Sequence, residues 1–265
     1  MTVKVSSPLL ILDSVTKLPA EANGAVVVGG SHAAVYAAYL SAKGGLRAAV
    51  HHDAGIGLDE AGVSGLAYAE ALGMAMVALS TATCRIGDGQ DQFERGIVSR
   101  LNAQAADCGV AIGMSCKDAV ELLKRAPWPH RPPPTKDESR HLVGSIVCVD
   151  SASLLVPEDR DKVVATGSHG ARNAGATTAP TQPRLIFFND AGPGIDRGGV
   201  LGLDILEHEG VAGVAVAAAS ARIGDGRSTL QDGTISAANR IARRLGARVG
   251  ASALALARSV AENAA

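Results

Sequence analysis

The chain has 265 residues, a formal net charge of −1, 47% apolar residues and only 3% aromatic ones. Lys and Arg form no long run, so the electrostatic footprint of a nucleic-acid binder is missing. No apolar stretch is long enough to cross a bilayer, and Met1–Pro8 lacks the basic-then-apolar pattern of a secretion signal. A cytoplasmic protein with no nucleic-acid or membrane partner is expected.

In chain order, Leu9–Leu12 reads as a short buried strand ending at Asp13-Ser14. Ala25–Val28 is a second strand, running into Gly29-Gly30-Ser31-His32, and Ala33–Ala42 follows as a helix. Ala48–Val50 is a third strand, ending at His52-Asp53. Gly62–Leu72 reads as a helix and Met74–Leu79 as a fourth strand. The loop Thr83–Gly89 then leads to a helix predicted from about Gln92 to Asp107, with Asp91 and Glu94 at capping-box spacing before it. Pro127-Trp128-Pro129 and Pro132-Pro133-Pro134 mark an extended linker over 127–142.

The second half repeats this order. Ile146–Val149 leads to Asp150-Ser151, Val163–Ala165 to Gly167-Ser168-His169, and Leu185–Phe188 to Asn189-Asp190. Val211–Ala219 leads to Ser220-Ala221-Arg222-Ile223-Gly224-Asp225-Gly226. Ser228 and Gln231 again stand at capping-box spacing, before a helix ending near Gly246. One stretch departs from the pattern. Arg172–Pro183 carries Gly, Thr and two Pro where the first half has a helix, which predicts an irregular loop.

The landmarks recur 137 residues apart: Asp13 and Asp150, Ser31 and Ser168, Asp53 and Asp190, Asp88 and Asp225. An internal duplication is the economical reading. It predicts an α/β fold of two homologous βα repeats in a pseudo-two-fold arrangement, over 1–126 and 143–265. The strands should be mainly parallel, with helices on both faces. The cysteines Cys84, Cys108, Cys116 and Cys148 have neither cysteine counterparts at this offset nor metal-ligand spacing.

The polar residues kept in both halves all follow predicted strands, where an open parallel sheet gathers its ligand crevice. Ser31, His32, Asp53 and Ser168, His169, Asp190 are the candidate catalytic groups. Each Ser is either a nucleophile served by a base from another loop or a cap on the helix that follows. The imidazoles suit proton transfer, or fix a loop. Arg85 with Asp88, and Arg222 with Asp225, are either loop staples or an anion grip, with Ser220 and Asn189 as further substrate contacts. The turn at Gly29-Gly30-Ser31 breaks the dinucleotide pattern at its second glycine, so no organic cofactor is expected. A divalent cation between Asp53 and Asp59, or Asp190 and Asp196, is the remaining option.

These groups suit hydrolysis of an amide-like C–N bond in a small polar or anionic metabolite. The alternatives are a proton-transfer isomerase or lyase, a non-catalytic metabolite binder, and a polar seam within the chain or a homo-oligomer.

Overall fold

A computed structural model describes residues 7–263. Its contacts divide the chain into two units, Met1–Asp53 with Gly62–Lys136, and Ala54–Ala61 with Asp137–Ala265. The fold is mixed α/β, with one sheet in each unit.

In the first unit, β1 (Leu9–Leu12), β2 (Val26–His32), β3 (Ala48–His52) and β4 (Ala75–Leu79) are parallel neighbours in sequence order. Between them run α1 (Val35–Lys43) and α2 (Gly65–Leu72). After β4 come α3 (Gly89–Arg95), β5 (Val98–Leu101), α4 (Ala103–Asp107) and α5 (Cys116–Leu123). β5 pairs antiparallel with β4.

The second unit adds an antiparallel edge strand, β6 (Arg140–Val143), beside β7 (Ile146–Val149). The parallel series continues through β8 (Val163–His169), β9 (Leu185–Asn189) and β10 (Ala212–Val216). Its helices are α6 (Arg172–Thr178), α7 (Gly202–His208), α8 (Gly226–Gln231), α9 (Arg240–Arg244) and α10 (Ala253–Glu262), with β11 (Ile235–Ala238) antiparallel to β10. Strand for strand, β1–β5 and β7–β11 begin and end 137 residues apart.

Period-two alternation explains the layering in the second unit. Cys148, Ala165, Phe187 and Val214 pack with Leu230, Ala242 and Leu256 on one face. Val147, Val164, Ile186 and Ala215 pack with Ala174, Leu203 and Leu206 on the other. Each sheet keeps strict sequence order along its parallel strands, so neither contains the reversal that opens a crevice in doubly wound sheets.

Four expectations need correction. The helix predicted over Gln92–Asp107 is broken into α3, β5 and α4. Gly96 ends α3, and a Cβ there would stand 2.4 Å from Gln92 O. Val98–Leu101 then finds ladder partners on β4, which a lone helical pattern cannot reveal. The same break recurs between Gln231 and Arg240. Second, the caps are Asp88 and Asp225, three residues ahead of the predicted ones; each carboxylate accepts a backbone N–H at 2.9 Å, from Asp91 and Ser228 respectively. Third, Arg172–Thr178 is helical. Its Gly175 is there for close packing: an added Cβ would meet Gly202 O at 2.5 Å. Pro180 falls in the following 3-10 turn Ala179–Thr181, at a position where its missing N–H costs nothing. Fourth, the stretch read as linker over 127–142 runs into β6 at its last three residues, and Arg140 there forms a two-pronged bridge to Asp159 at 2.9 and 2.6 Å.

Candidate functional site

Most polar residues shared by both halves follow the carboxyl ends of the parallel strands, while Asn102 and Asn239 lie at the amino ends of β4 and β10; most of the set hold neighbouring loops by their backbone. Asp13 accepts the Gly89 N–H at 3.0 Å and Asp150 the Gly226 N–H at 3.3 Å. Ser31 accepts from Val15 N–H at 3.0 Å, and Ser168 from Ala152 N–H at 2.9 Å. Neither serine caps the helix after it; the N-cap residues of α1 and α6 are Ala34 and Ala171, which offer no side-chain cap. Each hydroxyl instead ties down the turn that follows the adjacent strand. Asn102 and Asn239 accept from the first turns of α4 and α9 and donate to Met74 O and Val211 O.

Asp53 and Asp190 are 4% and 2% exposed. Asp53 Oδ1 accepts from Thr81 N–H at 3.0 Å, and its Oδ2 accepts from the Ser99 hydroxyl at 2.8 Å. Asp190 Oδ1 accepts from both Gly192 N–H and Ala218 N–H, each at 2.9 Å. Ser99 Oγ also lies 3.2 Å from Ala78 O, and its counterpart Ser236 keeps only that second contact, to Ala215 O at 3.3 Å. Asp190 Oδ2 therefore has no hydrogen-bond donor among the described residues.

The histidines differ in the same asymmetric way. In the second unit His169 is buried at the end of β8, in register with Asn189, and its Nδ1 accepts from Ala171 N–H at 3.3 Å. Asn189 donates from Nδ2 to Ala221 O at 2.9 Å. In the first unit His52 Nε2–H makes the equivalent bond to Cys84 O at 3.0 Å. A neutral imidazole thus does the work of an amide, which marks His52 as a strut. Burial pushes its pKa down, against the raising pull of Asp53. His51 is fully buried; its Nδ1 lies 3.3 Å from Gly29 O and its Nε2 3.0 Å from Ser41 Oγ. A carbonyl only accepts, so a proton on Nδ1 serves Gly29 O, while Nε2 and Ala37 O, 2.8 Å from Ser41 Oγ, share the one proton of that hydroxyl. Burial lowers the His51 pKa to about 4, partly opposed by the Gly29 carbonyl. His32 is also lowered to about 4, by burial first and then by His51 and His52, and its Nδ1 is buried without a partner. At neutral pH all three rings are uncharged.

The arginines part company. Arg85 pairs with Asp88 at 2.9 Å and Asp91 at 3.0 Å, both in its own loop and helix. Arg222 does not pair with Asp225. Serine replaces Asp91 at position 228, and Arg222 reaches Asp59 at 2.5 Å and, more remotely, Asp232 at 3.7 Å. Ser220 Oγ donates to Ala217 O and accepts the Thr234 N–H, so it braces its turn.

The sequence reading assigned no partner to Ser41, Ser99 or Ser236, although hydroxyls stand at both members of each pair (Ser41 with Thr178, Ser99 with Ser236). No group of three or more His, Cys, Asp or Glu among the described residues is arranged to hold a metal ion. The four cysteines are free, and burial pushes the thiols of Cys84 and Cys116 up to about 12. No helix among the described residues is long and apolar enough to cross a membrane. Comparison of the chain with known protein families, with curated proteins and with solved structures gives no match.

Proposed function

We propose that the protein is an enzyme that hydrolyses an amide-like C–N bond in a small polar metabolite at the carboxyl edge of the β7–β10 sheet, with Asp190 as the general base. One observation carries this reading. Asp190 is a buried carboxylate with one oxygen saturated by two backbone N–H groups and the other left without a protein donor. Its fixed oxygen sets the orientation, and its open oxygen can take a proton from water. His169, in register with the residue before Asp190, stands at the neighbouring strand end for the leaving nitrogen. In the first unit the Ser99 hydroxyl fills the corresponding place on Asp53, so the second unit is the working one. The two units are, in the same reading, copies of one ancestral repeat of which one became scaffold.

Ser168 fits this mechanism as a brace, since its oxygen is already taken by the Ala152 N–H. Water, activated by Asp190, is the nucleophile. The test is a panel of small amides, ureides and cyclic imides incubated with the full chain, read by release of ammonia or amine. Asp190→Asn keeps Oδ1 as acceptor for both N–H groups and removes only the base. It should cost about 100-fold or more in rate, while Ser168→Ala should retain turnover. Loss of turnover in Ser168→Ala with Asp190→Asn active would replace Asp190 by a serine nucleophile. Binding without turnover across the panel would make the protein a metabolite carrier.

A further inference from the structure

The segment Ala54–Ala61 belongs to the second unit. Ala54, Ile56, Asp59 and Glu60 have φ between 50° and 64°, a region L residues avoid, and the matching Ala191, Asp196 and Arg197 have φ of 55°. Gly55 and Gly57 lie between them at 66° and 74°. Strain of this kind persists only where surrounding contacts impose it, and those contacts are specific. The Leu58 N–H donates to Ala218 O at 2.8 Å. A Cβ on Gly57 would sit 3.1 Å from the same oxygen, and one on Gly55 would sit 2.8 Å from Gly192 Cα. Ala218 and Gly192 are the two residues whose N–H groups hold Asp190 Oδ1. The strained segment therefore lies against the backbone that positions the candidate base, and it delivers Asp59 to Arg222.

Arg222 is held at its root and open at its tip. Its backbone N–H donates to Ser228 Oγ at 3.0 Å, and that hydroxyl donates to Asp232 Oδ2 at 2.7 Å. Its guanidinium, whose side chain is 46% exposed, has one close partner, Asp59. Where Arg85 has two carboxylates of its own loop and helix within 3.0 Å, Arg222 has only Asp232 at 3.7 Å. Its partner is an exposed carboxylate on a strained strap, a pairing of low net worth that another carboxylate can replace.

We infer that Arg222 is the dock for the carboxylate of a small monoanionic ligand, and that Asp59 is the internal carboxylate this ligand displaces. The inference rests on the proposed function only in placing the rest of that ligand towards Asp190. The planar guanidinium fork matches carboxylate and phosphate alike. The standing negative charge of Asp232 favours the singly charged carboxylate over a phosphate dianion.

The test is calorimetric titration of the full chain with succinamate, which joins a carboxylate to an amide, and with inorganic phosphate. Removing the internal competitor in Asp59→Asn should tighten succinamate binding about two- to fivefold, the worth of an exposed pair. Arg222→Gln should abolish binding, and Arg222→Lys, which keeps the charge and loses the fork, should weaken it. Phosphate should bind more weakly than succinamate. Unchanged or weaker binding by Asp59→Asn, undiminished binding by Arg222→Gln or Arg222→Lys, no binding by the wild type, or phosphate binding as tightly as succinamate would each overturn the assignment. Turnover is not read, so a failure of the hydrolysis panel would sink the catalytic reading and leave the anion dock standing.

Discussion

His51 provides a quantitative test of the buried imidazoles. The second half has Phe188 at the matching place, Thr166 where Gly29 makes room for the ring, and Thr178 where Ser41 receives it. The fold thus tolerates a phenyl ring at this point. His51 has a folded pKa of about 4 against an ordinary value of 6.5, with desolvation as the main cause. Above pH 6.5 the ring is neutral folded and unfolded, and it contributes no pH dependence. As pH falls from 6.5 to about 4, the unfolded chain takes up a proton that the folded one refuses, so stability drops, and it levels off below that. At about pH 5 the linkage amounts to roughly 2 kcal/mol for this one residue. His51→Phe also removes the donor to Gly29 O, a loss of about 1 kcal/mol at neutral pH. The variant should therefore be less stable than wild type near pH 7.5 and more stable near pH 5, by about 1 kcal/mol each way. Urea unfolding at the two pH values, with slopes compared, measures this. Parallel pH profiles for the two proteins would show that His51 is not a neutral buried ring, and the strut reading of the trio would go with it.

Three further outcomes follow from the packing. Arg140→Ala strips the two arginine hydrogen bonds from Asp159, which is fully buried and keeps only that of the Val156 N–H; burial pushes that carboxyl up, yet Arg140, the Val156 N–H and Lys162 together hold it below its usual value. The variant should lose about 3–5 kcal/mol in denaturant melts at neutral pH, and a smaller loss would mean that water reaches Asp159. Gly175→Ala should destabilise by about 1–3 kcal/mol despite alanine's better helix propensity, because its Cβ would meet Gly202 O at 2.5 Å; a gain in melting temperature would contradict the close approach of α6 and α7. Asn239→Ala removes the acceptor of the Ala242 N–H and the donors to Val211 O and Leu203 O, all buried, and should lower thermal stability by about 2–4 kcal/mol.

The parallel strands were legible because each is a short aliphatic run closed by turn residues, as in Val26–Val28 before Gly29 or Leu185–Phe188 before Asn189. β5 and β11 were not. Val98-Ser99-Arg100-Leu101 is too short and too polar to stand out from the helix formers around it, and only the ladder to β4 reveals it. α6 was hidden for the opposite reason: Gly175 looked like a breaker, and only the backbone of α7 shows why a glycine is wanted inside that helix. For the site, position along the strands was readable from order alone, and partnership was not. Ser31 and Ser168 bond to turns 16 residues earlier, a choice made by strand adjacency rather than by local sequence. The Arg–Asp spacing left a staple and an anion grip open at both places; Arg85 does pair with Asp88, whereas the partner of Arg222 arrives from a segment more than 160 residues away.

Identity between the halves therefore has to be weighed against its opposite. Residues common to both, such as Asp13 with Asp150, Ser31 with Ser168 and Asn102 with Asn239, make the same backbone bonds in both units, so their recurrence is explained by folding alone. A shared polar residue in a strand-end loop is then weak evidence for chemistry. Where an identical residue acquires different bonds, folding no longer explains it. Asp190 has an oxygen without a protein donor while the matching oxygen of Asp53 is filled by Ser99, and Arg222 exchanges its local carboxylates for Asp59. Both departures fall in the second unit, and the strained segment Ala54–Ala61 touches each of them, through Gly55, Gly57 and Leu58 for the first and Asp59 for the second. Positive φ at Ala54, Asp59 and Glu60 recurs at Ala191, Asp196 and Arg197, so this backbone belongs to the fold, and only the contacts of the segment with Gly192, Ala218 and Arg222 are particular to this edge. The proposed chemistry therefore rests on these two departures, at Asp190 and Arg222, rather than on the whole set of shared loops.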